Sequence, residues 1–256
     1  MIAAVVVIPA RYASSRFPGK ILARQTGKYL IQHVYEQASK AKCADRVIIA
    51  ADDPRTVEAA RSFGADVVMT DPALPSGTDR VAAAVADLVD VELVINVQGD
   101  EPQIHPECID QLAGLLSSSD APMATLATPF GRDDDLDDPN LVKVVCDRHG
   151  RALYFSRSPI PFPRDGREKL PKGLRESFLL HLGIYGYRRK FLLKLTQFEP
   201  APLEEIERLE QLRVLWRGYT IQVGITPHRS RGIDTPEQYK RFVESQMKGQ
   251  GRTTDD

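Results

Sequence analysis

The sequence predicts an α/β fold, a doubly wound and mostly parallel sheet in a single domain, from three observations. Residues 3–8 form an unbroken apolar run rich in valine, which is typical of a central parallel strand covered on both faces. Strand and helix patterns then alternate through the first half of the chain, as they do in doubly wound sheets. A length of 256 residues is compatible with one such domain, and no segment has the composition of a linker.

The elements of the first half follow from apolar spacing and from local end signals. Residues 30–38 carry apolar side chains at the spacing of one helical face. Asp53 before Pro54 is a good N-cap for the next helix, Gly64 ends it, and Thr78 is expected to cap the third. The predicted strands are 3–8, 46–51, 66–69 and 92–97, and the predicted helices are 30–38, 54–63, 78–86 and 105–117.

The second half of the chain is less regular. Residues 158–166 are rich in proline and predict an irregular excursion, within an insertion of about 156–190 that would act as a lid or a dimer contact. The polar end, 248–256, is expected to fray. The predicted strands here are 123–127, 142–146, 179–187 and 220–225, and the predicted helices are 203–215 and 236–246.

The composition excludes several classes of function. The formal net charge is −1, which removes any bulk attraction to nucleic acid or an anionic membrane, so neither partner is expected. The N-terminal apolar stretch is too short for a signal peptide and no run approaches a membrane span, so a cytoplasmic location is expected. Three scattered cysteines suggest neither a disulfide framework nor a thiolate metal site, and the five histidines show no metal-binding spacing.

The first loop concentrates positive charge directly after the first strand. Arg11, Arg16 and Lys20 lie in this loop, which Pro9 and Pro18 stiffen. Because ligands of open α/β sheets bind at the carboxyl edge, the loop predicts a polyphosphate site. The alternative is a solvated basic loop. Three cations in a loop that contains two prolines, directly after a buried first strand, make this interpretation the less favoured one.

The glycines of this loop match neither of two well-known phosphate-binding motifs. No G-x-G-x-x-G follows the first strand, which argues against a dinucleotide-binding dehydrogenase. Gly19 and Lys20 are followed by Ile21, where a P-loop needs serine or threonine for its magnesium ion. The phosphates must therefore be held mostly by side chains.

Two aspartates are candidates for a magnesium site. Asp100 follows the predicted strand 92–97 and Asp234 precedes the closing helix, so both should emerge beside the basic loop. Mg²⁺ that binds phosphates usually takes one or two carboxylates from the protein. The alternatives are a turn-forming role for Asp100 and a helix-capping role for Asp234 or Thr235. The five aspartates within 133–138 are interpreted as a solvated turn.

Seven segments along the chain resemble one enzyme family in the expected order. They are 8–20, 76–80, 96–102, 152–157, 181–187, 209–213 and 234–237. Together they resemble the 3-deoxy-manno-octulosonate cytidylyltransferases (CMP-KDO synthetases), which are sugar nucleotidyltransferases. The resemblance implies a Rossmann-like nucleotide-diphospho-sugar transferase fold. It also implies transfer of CMP from CTP to an acid sugar for lipopolysaccharide synthesis, a requirement for Mg²⁺, and a homodimer.

The resemblance implies roles for particular residues as well. The catalytic residues would be Arg11, Lys20, Asp100 and Asp234, with the two aspartates as the Mg²⁺ ligands. The CTP site would comprise Ala10, Arg11, Arg16, Lys20, Ser76 and Arg80. The sugar site would comprise Gln98, Arg157, His181, Tyr185 and Glu210. Within it, Arg157 could make a forked hydrogen bond to the sugar carboxylate, and the insertion would contribute to this site.

Two alternatives stay open. A cytidylyltransferase for another acid sugar, such as 8-amino-KDO or a sialic acid, would share the basic loop and both aspartates. A noncatalytic nucleotide-binding protein would keep the fold, although the presence of Lys20, Asp100 and Asp234 argues against it. The segments 181–187 and 209–213 resemble the octulosonate enzymes, which favours that substrate.

Overall fold

The computed structural model describes residues 3–250, except 15, 132–133, 171–172 and 175–176. Within these residues nine strands form one sheet, flanked by eight α-helices. The strands are β1 (Ala4–Ala10), β2 (Ala44–Ala51), β3 (Asp66–Met69), β4 (Leu93–Asn96), β5 (Met123–Pro129), β6 (Lys143–Cys146), β7 (Ala152–Ser156), β8 (Leu179–Arg188) and β9 (Ile221–Ile225). The helices are α1 (Leu30–Ala38), α2 (Pro54–Ser62), α3 (Gly77–Ala84), α4 (Pro106–Ser118), α5 (Arg189–Leu195), α6 (Pro202–Glu207), α7 (Gln211–Trp216) and α8 (Pro236–Gln250). None of the helices in this described part of the chain is long and apolar enough to cross a bilayer.

The sheet has the order β3-β2-β1-β4-β8-β5-β9, and β1 to β4 run parallel to one another. β8 lies antiparallel between β4 and β5, and β9 is parallel to β5. β6 and β7 form an antiparallel extension that pairs with the start of β8. The predicted α/β class is confirmed. The reversed direction of β8 was not predicted. Its second half pairs with β4, so its first half continues past the carboxyl end of β4.

The central strand β1 is buried because helices cover both faces of the sheet. Val6 and Ile8 belong to one apolar cluster, to which α1 and α4 contribute. Val5 and Val7 belong to the other, to which α3, α5 and α7 contribute. Alternate side chains of one strand thus face opposite helical layers, which is why the strand appears in the sequence as an unbroken apolar run.

The first half of the chain follows the predicted pattern because local signals decide its elements. α1 and β3 have the predicted bounds. Asp53 caps α2 by accepting a hydrogen bond from the Arg55 amide at 2.9 Å. The predicted cap of α3 is wrong, since Ser76 and not Thr78 accepts a hydrogen bond from the Asp79 amide, at 3.1 Å.

The predicted helix 203–215 is wrong, because the chain breaks inside it. Arg208 has φ 54°, a left-handed conformation that ends α6, and α7 begins again at Gln211. The closing helix α8 continues beyond its predicted end, so residues 248–250 are helical where fraying was predicted. The rest of the predicted tail, 251–256, lies outside the described residues.

The predicted insertion at about 156–190 contains part of the central sheet. β8 begins at Leu179, inside these bounds, and pairs with both β4 and β5. Two further elements, β7 and α5, were not recognised in the sequence. β7 is only five residues long and pairs only with β6 among the described strands, and α5 follows β8 without an intervening loop. β7 also contacts α7 and β9, and α5 contacts α3, so both elements have neighbours that are distant in sequence.

Candidate active site

The carboxyl ends of β1 and β4 meet at one edge of the sheet. Gly99 allows this approach, because a Cβ atom there would lie 2.7 Å from the Pro9 carbonyl oxygen. The loop after β1 ends in a short 3₁₀ turn, Lys20–Leu22, which is entered through Gly19 with φ 66°. This left-handed conformation favours glycine. The turn directs the Lys20 side chain inward, where it is 11% exposed.

Lys20 joins the two aspartates that the sequence predicts as metal ligands. Its Nζ atom lies 2.5 Å from Asp100 Oδ2 and 2.9 Å from Asp234 Oδ1. Arg16 adds a second cation, with Nη2 3.0 Å from Asp234 Oδ2. Arg11 lies exposed at the start of the same loop. The expected convergence of the two aspartates beside the basic loop is therefore confirmed.

The charges in this cluster keep the Lys20 ammonium protonated. Burial by itself lowers the pKa of a lysine, because the charged form loses hydration. The charges of Asp100 and Asp234 and their hydrogen bonds to Nζ outweigh that effect and raise the Lys20 pKa above its ordinary value. The ammonium thus neutralises two carboxylates that would otherwise repel each other. Hard carboxylate oxygens around a position that already accommodates a cation fit the preferences of Mg²⁺.

The segment 226–235 carries the second aspartate from the end of β9 back to β4. The Ile233 amide donates to the Asp100 carbonyl at 2.9 Å. Ser230 donates a short hydrogen bond to the buried Glu101 carboxylate. Desolvation raises the pKa of Glu101 to about 7, Ser230 opposes this, and the charge of Asp100 adds to it. The sequence did not single out Glu101 or Ser230; the available signal was the place of Glu101 directly after a predicted metal ligand.

Asp134 corrects the interpretation of the acidic run as a solvated turn. Its side chain is 5% exposed and lies 2.6 Å from Arg229 Nη2 and 3.5 Å from Arg231 Nη2. It also accepts a hydrogen bond from the Gly131 amide at 2.6 Å. Both arginines belong to the segment 226–235, so this aspartate helps to hold the chain that leads into the cluster. The contact spans 95 residues, which no local pattern can reveal.

Arg80 lies beneath the basic loop and is fully buried. Its Nη1 donates to Thr70 Oγ1 at 2.5 Å, and its Nη2 lies 3.4 Å from Asp52 Oδ2. Asp52 also accepts a hydrogen bond from the Tyr12 amide, at 2.8 Å. Burial lowers the pKa of Arg80, and the charge of Asp52 opposes this. In this structure its guanidinium has no exposed surface, and Arg80 supports the basic loop from below.

Ser76 and Ala10, which the resemblance assigned to the CTP site, both lie next to this loop. Ser76 Oγ donates to Asp79 Oδ2 at 2.6 Å while the residue caps α3. A Cβ atom at Gly77 would be 3.7 Å from Pro9 Cγ, so the start of α3 is beside the basic loop. Ala10 is the last residue of β1, and its side chain is buried. It therefore presents mainly backbone to this edge of the sheet.

β8 brings predicted sugar-binding residues to the end of β4. Tyr185 is paired with Asn96 across the two strands, and Gln98 Nε2 donates to the Gly183 carbonyl at 3.2 Å. The rings of His181 and Tyr185 have centroids 5.5 Å apart. The structure thus places Gln98, His181 and Tyr185 in one group, which follows from the antiparallel course of β8.

This group offers neutral hydrogen-bonding partners. His181 Nε2 forms a hydrogen bond with Thr125 Oγ1 at 3.0 Å, and its ring packs edge-on against Phe155 with centroids 4.9 Å apart. Desolvation lowers the pKa of His181 to about 3, so the imidazole is uncharged near neutral pH. Tyr185 donates its hydroxyl to Gln211 Oε1 at 3.3 Å, and burial raises its pKa.

Glu210 and Arg157, the other two residues assigned to the sugar site, lie near the break between α6 and α7. Glu210 is exposed and accepts a hydrogen bond from the Thr78 hydroxyl at 2.7 Å, which joins α7 to α3. The guanidinium of Arg157 donates to the backbone carbonyls of Pro139, Glu207 and Arg208. In this structure the fork expected to meet a sugar carboxylate is committed to backbone oxygens, so Arg157 stabilises the chain break.

Comparison with known sequences shows close relatives over nearly the whole chain. The family model described as "Cytidylyltransferase" matches residues 5–221. The chain is 49% identical to the 3-deoxy-manno-octulosonate cytidylyltransferase of Syntrophotalea carbinolica, over 95% of this chain and 98% of that one. It is 48% identical to the protein of the same name from Photobacterium profundum, over 92% of this chain and 96% of that one.

Comparison with solved structures agrees with the sequence relatives. A CMP:2-keto-3-deoxy-manno-octonic acid synthetase complexed with CTP superposes with a TM-score of 0.88 and 39% identity, over 96% of this chain and 99% of that one. The 4-diphosphocytidyl-2C-methyl-D-erythritol synthase from Anaerococcus prevotii superposes with a TM-score of 0.62 at 12% identity, over 96% of this chain and 99% of that one. The second likeness shows the fold alone.

Proposed function

The chain belongs to the 3-deoxy-manno-octulosonate cytidylyltransferase family, and we propose that it transfers CMP from CTP to the anomeric hydroxyl of 3-deoxy-manno-octulosonate, releasing pyrophosphate. The observation that carries this proposal is the contact of Lys20 with both Asp100 and Asp234 at the carboxyl edge of the sheet. At this edge of the sheet the cations suit the phosphate groups of a triphosphate, and the carboxylates suit the Mg²⁺ ion that accompanies it. The product would supply an activated sugar for lipopolysaccharide synthesis.

The reaction requires charge neutralisation and alignment more than covalent work by the protein. The sugar hydroxyl oxygen attacks the α-phosphorus in line, and the bond from that phosphorus to the pyrophosphate oxygen breaks. Arg11 and Arg16 are exposed on the basic loop and available to phosphate oxygens, and the long Lys20 side chain can turn from the carboxylates toward them. These contacts strengthen as negative charge develops on the leaving pyrophosphate, so they accelerate the step.

Asp100 and Asp234 would hold Mg²⁺, since they are the carboxylates that share one cation in this structure. When bound, the ion supplies Lewis-acid stabilisation of phosphate oxygens and lowers the pKa of a ligated hydroxyl. The chain's own contribution is to hold both carboxylates in place. Two hydrogen bonds do this: the Ile233 amide donates to the Asp100 carbonyl, and the Ser230 hydroxyl donates to the Glu101 carboxylate.

Gln98, His181 and Tyr185 would bind the sugar through neutral hydrogen bonds. A histidine whose pKa is lowered to about 3 stays neutral, so it can bind a hydroxyl group without adding charge. Glu210 and Arg157 would shape the other side of this site from the α6–α7 break. We propose in addition that the protein is a cytoplasmic homodimer, on the basis of the family. Sedimentation analysis would test the dimer, and a monomer at micromolar concentration would contradict it.

A pyrophosphate-release assay tests the proposed function. Each of the four ribonucleoside triphosphates is combined with 3-deoxy-manno-octulosonate, 8-amino-KDO and a sialic acid. We expect the highest kcat/KM for CTP with 3-deoxy-manno-octulosonate. Higher kcat/KM with either of the other sugars would overturn the substrate assignment, and equal use of UTP would overturn the cytidine specificity. Absence of turnover with every pair would support the noncatalytic alternative.

A further inference from the structure

A second group of metal-ligating side chains lies outside the proposed active site. His105, Glu107 and His228 each offer a ligand atom, and these atoms all lie within 4.8 Å of one another. His105 and Glu107 are at the start of α4, whereas His228 belongs to the segment 226–235. The sequence predicts no metal-binding arrangement among the histidines. Sequence spacing does not reveal this group, because its members come from two distant parts of the chain.

The geometry of the three side chains is compact. The rings of His105 and His228 are stacked, with centroids 3.6 Å apart and planes inclined by 5°. His228 Nε2 lies 2.8 Å from Glu107 Oε2. The Glu107 amide donates to His105 Nδ1 at 3.3 Å, a long hydrogen bond that costs little to break. Two imidazoles and a carboxylate thus meet at one position on the surface.

We propose that His105, Glu107 and His228 form a binding site for a divalent transition-metal ion of the zinc class. Imidazole nitrogen is a good ligand for Zn²⁺, Ni²⁺ and Cu²⁺, and a set of two histidines and one glutamate leaves a fourth position for water. This donor set differs from the pair Asp100 and Asp234, which offers only oxygen and suits Mg²⁺. The two sites therefore differ in the ions that they select.

Ion binding requires only local movement. Bonds of about 2.0–2.1 Å in a tetrahedral site separate ligand atoms by about 3.3 Å. The 2.8 Å contact of His228 with Glu107 must open slightly, and the His228 ring must turn out of the stack so that both lone pairs face the ion. The Glu107 side chain is 73% exposed and that of His228 is 28% exposed, so both have room to move.

A metal ion at this site would fix the segment 226–235, which carries Asp234, to α4. Within this segment Arg229 contacts Asp134, and Ser230 contacts Glu101. An ion held by His228 on one side and by α4 on the other adds a further attachment at the start of the segment. Zn²⁺ at about a hundred times its dissociation constant should then raise the melting temperature by about 5 °C.

Titration with Zn²⁺ and with Ni²⁺ by isothermal calorimetry, in saturating Mg²⁺, tests the proposal on the full chain. The variants are His228→Ala and Glu107→Gln, and the matched control is His149→Ala, which removes an exposed histidine elsewhere. We expect the unchanged protein and His149→Ala to bind one Zn²⁺. His228→Ala should weaken binding at least 100-fold and abolish the rise in melting temperature.

A variant of the other site separates the two possible locations of the ion. Asp100→Asn should leave Zn²⁺ affinity unchanged within about threefold. If Asp100→Asn abolished Zn²⁺ binding while His228→Ala kept it, the ion would bind at the carboxylate pair and the proposal would be wrong. Equal affinity in the unchanged protein and His228→Ala would overturn it too. Circular dichroism of each variant checks that it is folded, and none of these measurements depends on turnover.

Discussion

The basic loop and β8 reach the same end of the sheet but hold their polar groups in different ways. Around the basic loop, Lys20 and Arg16 are paired with carboxylates at 2.5–3.0 Å. On β8, His181 and Tyr185 are packed against other rings and form hydrogen bonds with neutral partners. One region is organised by opposite charges and the other by desolvation.

This difference implies different responses to a ligand. Charge pairs at a sheet edge can exchange partners, because a phosphate group or a cation can replace either member. Desolvated neutral groups have no comparable alternative partner, so they keep their positions. We therefore expect the basic loop to rearrange when CTP binds and the β8 group to act as a fixed template for the sugar.

The largest effect should come from Lys20→Ala. Loss of the ammonium removes a cation from the transferring phosphates, and kcat/KM should fall by about 10³-fold. The matched control is Lys28→Ala, which removes an exposed lysine paired with Glu36 and should leave turnover unchanged. If Lys20→Ala kept kcat/KM within tenfold of the unchanged protein, the charges around the basic loop would have a structural role only. The proposed difference between the basic loop and the β8 group would then be wrong.

The next effect concerns the two carboxylates. Asp100→Asn or Asp234→Asn should lower kcat by about 10²-fold and raise the Mg²⁺ concentration needed for half-maximal rate, because the ion loses a charged ligand. Chelation should abolish turnover in the unchanged protein, and added Mg²⁺ should restore it. Asp45→Asn, at an exposed residue of β2, is the control. An unaltered Mg²⁺ requirement in both variants would contradict the assigned ligands.

The desolvated region should reveal itself through pH. The pKa of His181 is about 3 in the folded protein and about 6.5 when unfolded, so the unfolded state binds the extra proton first as pH falls. Its contribution to stability is complete above about pH 6.5 and should decrease by about 2 kcal/mol between pH 7 and pH 5. Urea unfolding at both values measures this. His181→Gln should show a smaller decrease in the free energy of unfolding, whereas the control His149→Gln should show the same decrease as the unchanged protein. An equal decrease in all three proteins would contradict the desolvated state of His181.

The smallest effect concerns Glu101, which follows Asp100 and lies beside β8, where a Cβ atom at Gly183 would be 3.7 Å from Glu101 Oε1. Ser230→Ala removes the hydrogen bond to buried Glu101 and should lower the free energy of unfolding by about 1.5 kcal/mol. Ser118→Ala, which removes a hydroxyl bonded to the Gly114 carbonyl within α4, should change it by less than about 0.5 kcal/mol. Urea unfolding of both variants gives the comparison, and equal values would show that the Ser230 contact adds nothing to stability.

Much of the first half could be predicted because its signals are local. The apolar run of β1, the spacing of α1 and the Asp53 cap each depend on a few neighbouring residues. The meeting of Asp100 and Asp234 at one edge of the sheet could also be predicted from their places after strand ends, although the path of the segment 226–235 from β9 back to β4 could not. The sequence by itself therefore determined the fold class and the location of the charged cluster.

Tertiary structure alone decided the features whose partners are distant in sequence. The antiparallel place of β8, the break at Arg208 and the burial of Arg80 depend on which segments pack together. The stack of His105 on His228 has the same origin. Burial and hydrogen bonding are properties of a side chain's surroundings, and those surroundings exist only after distant segments have come together. For this reason the sequence located the charges, whereas only the folded chain showed which of them are buried, paired or free to bind a ligand.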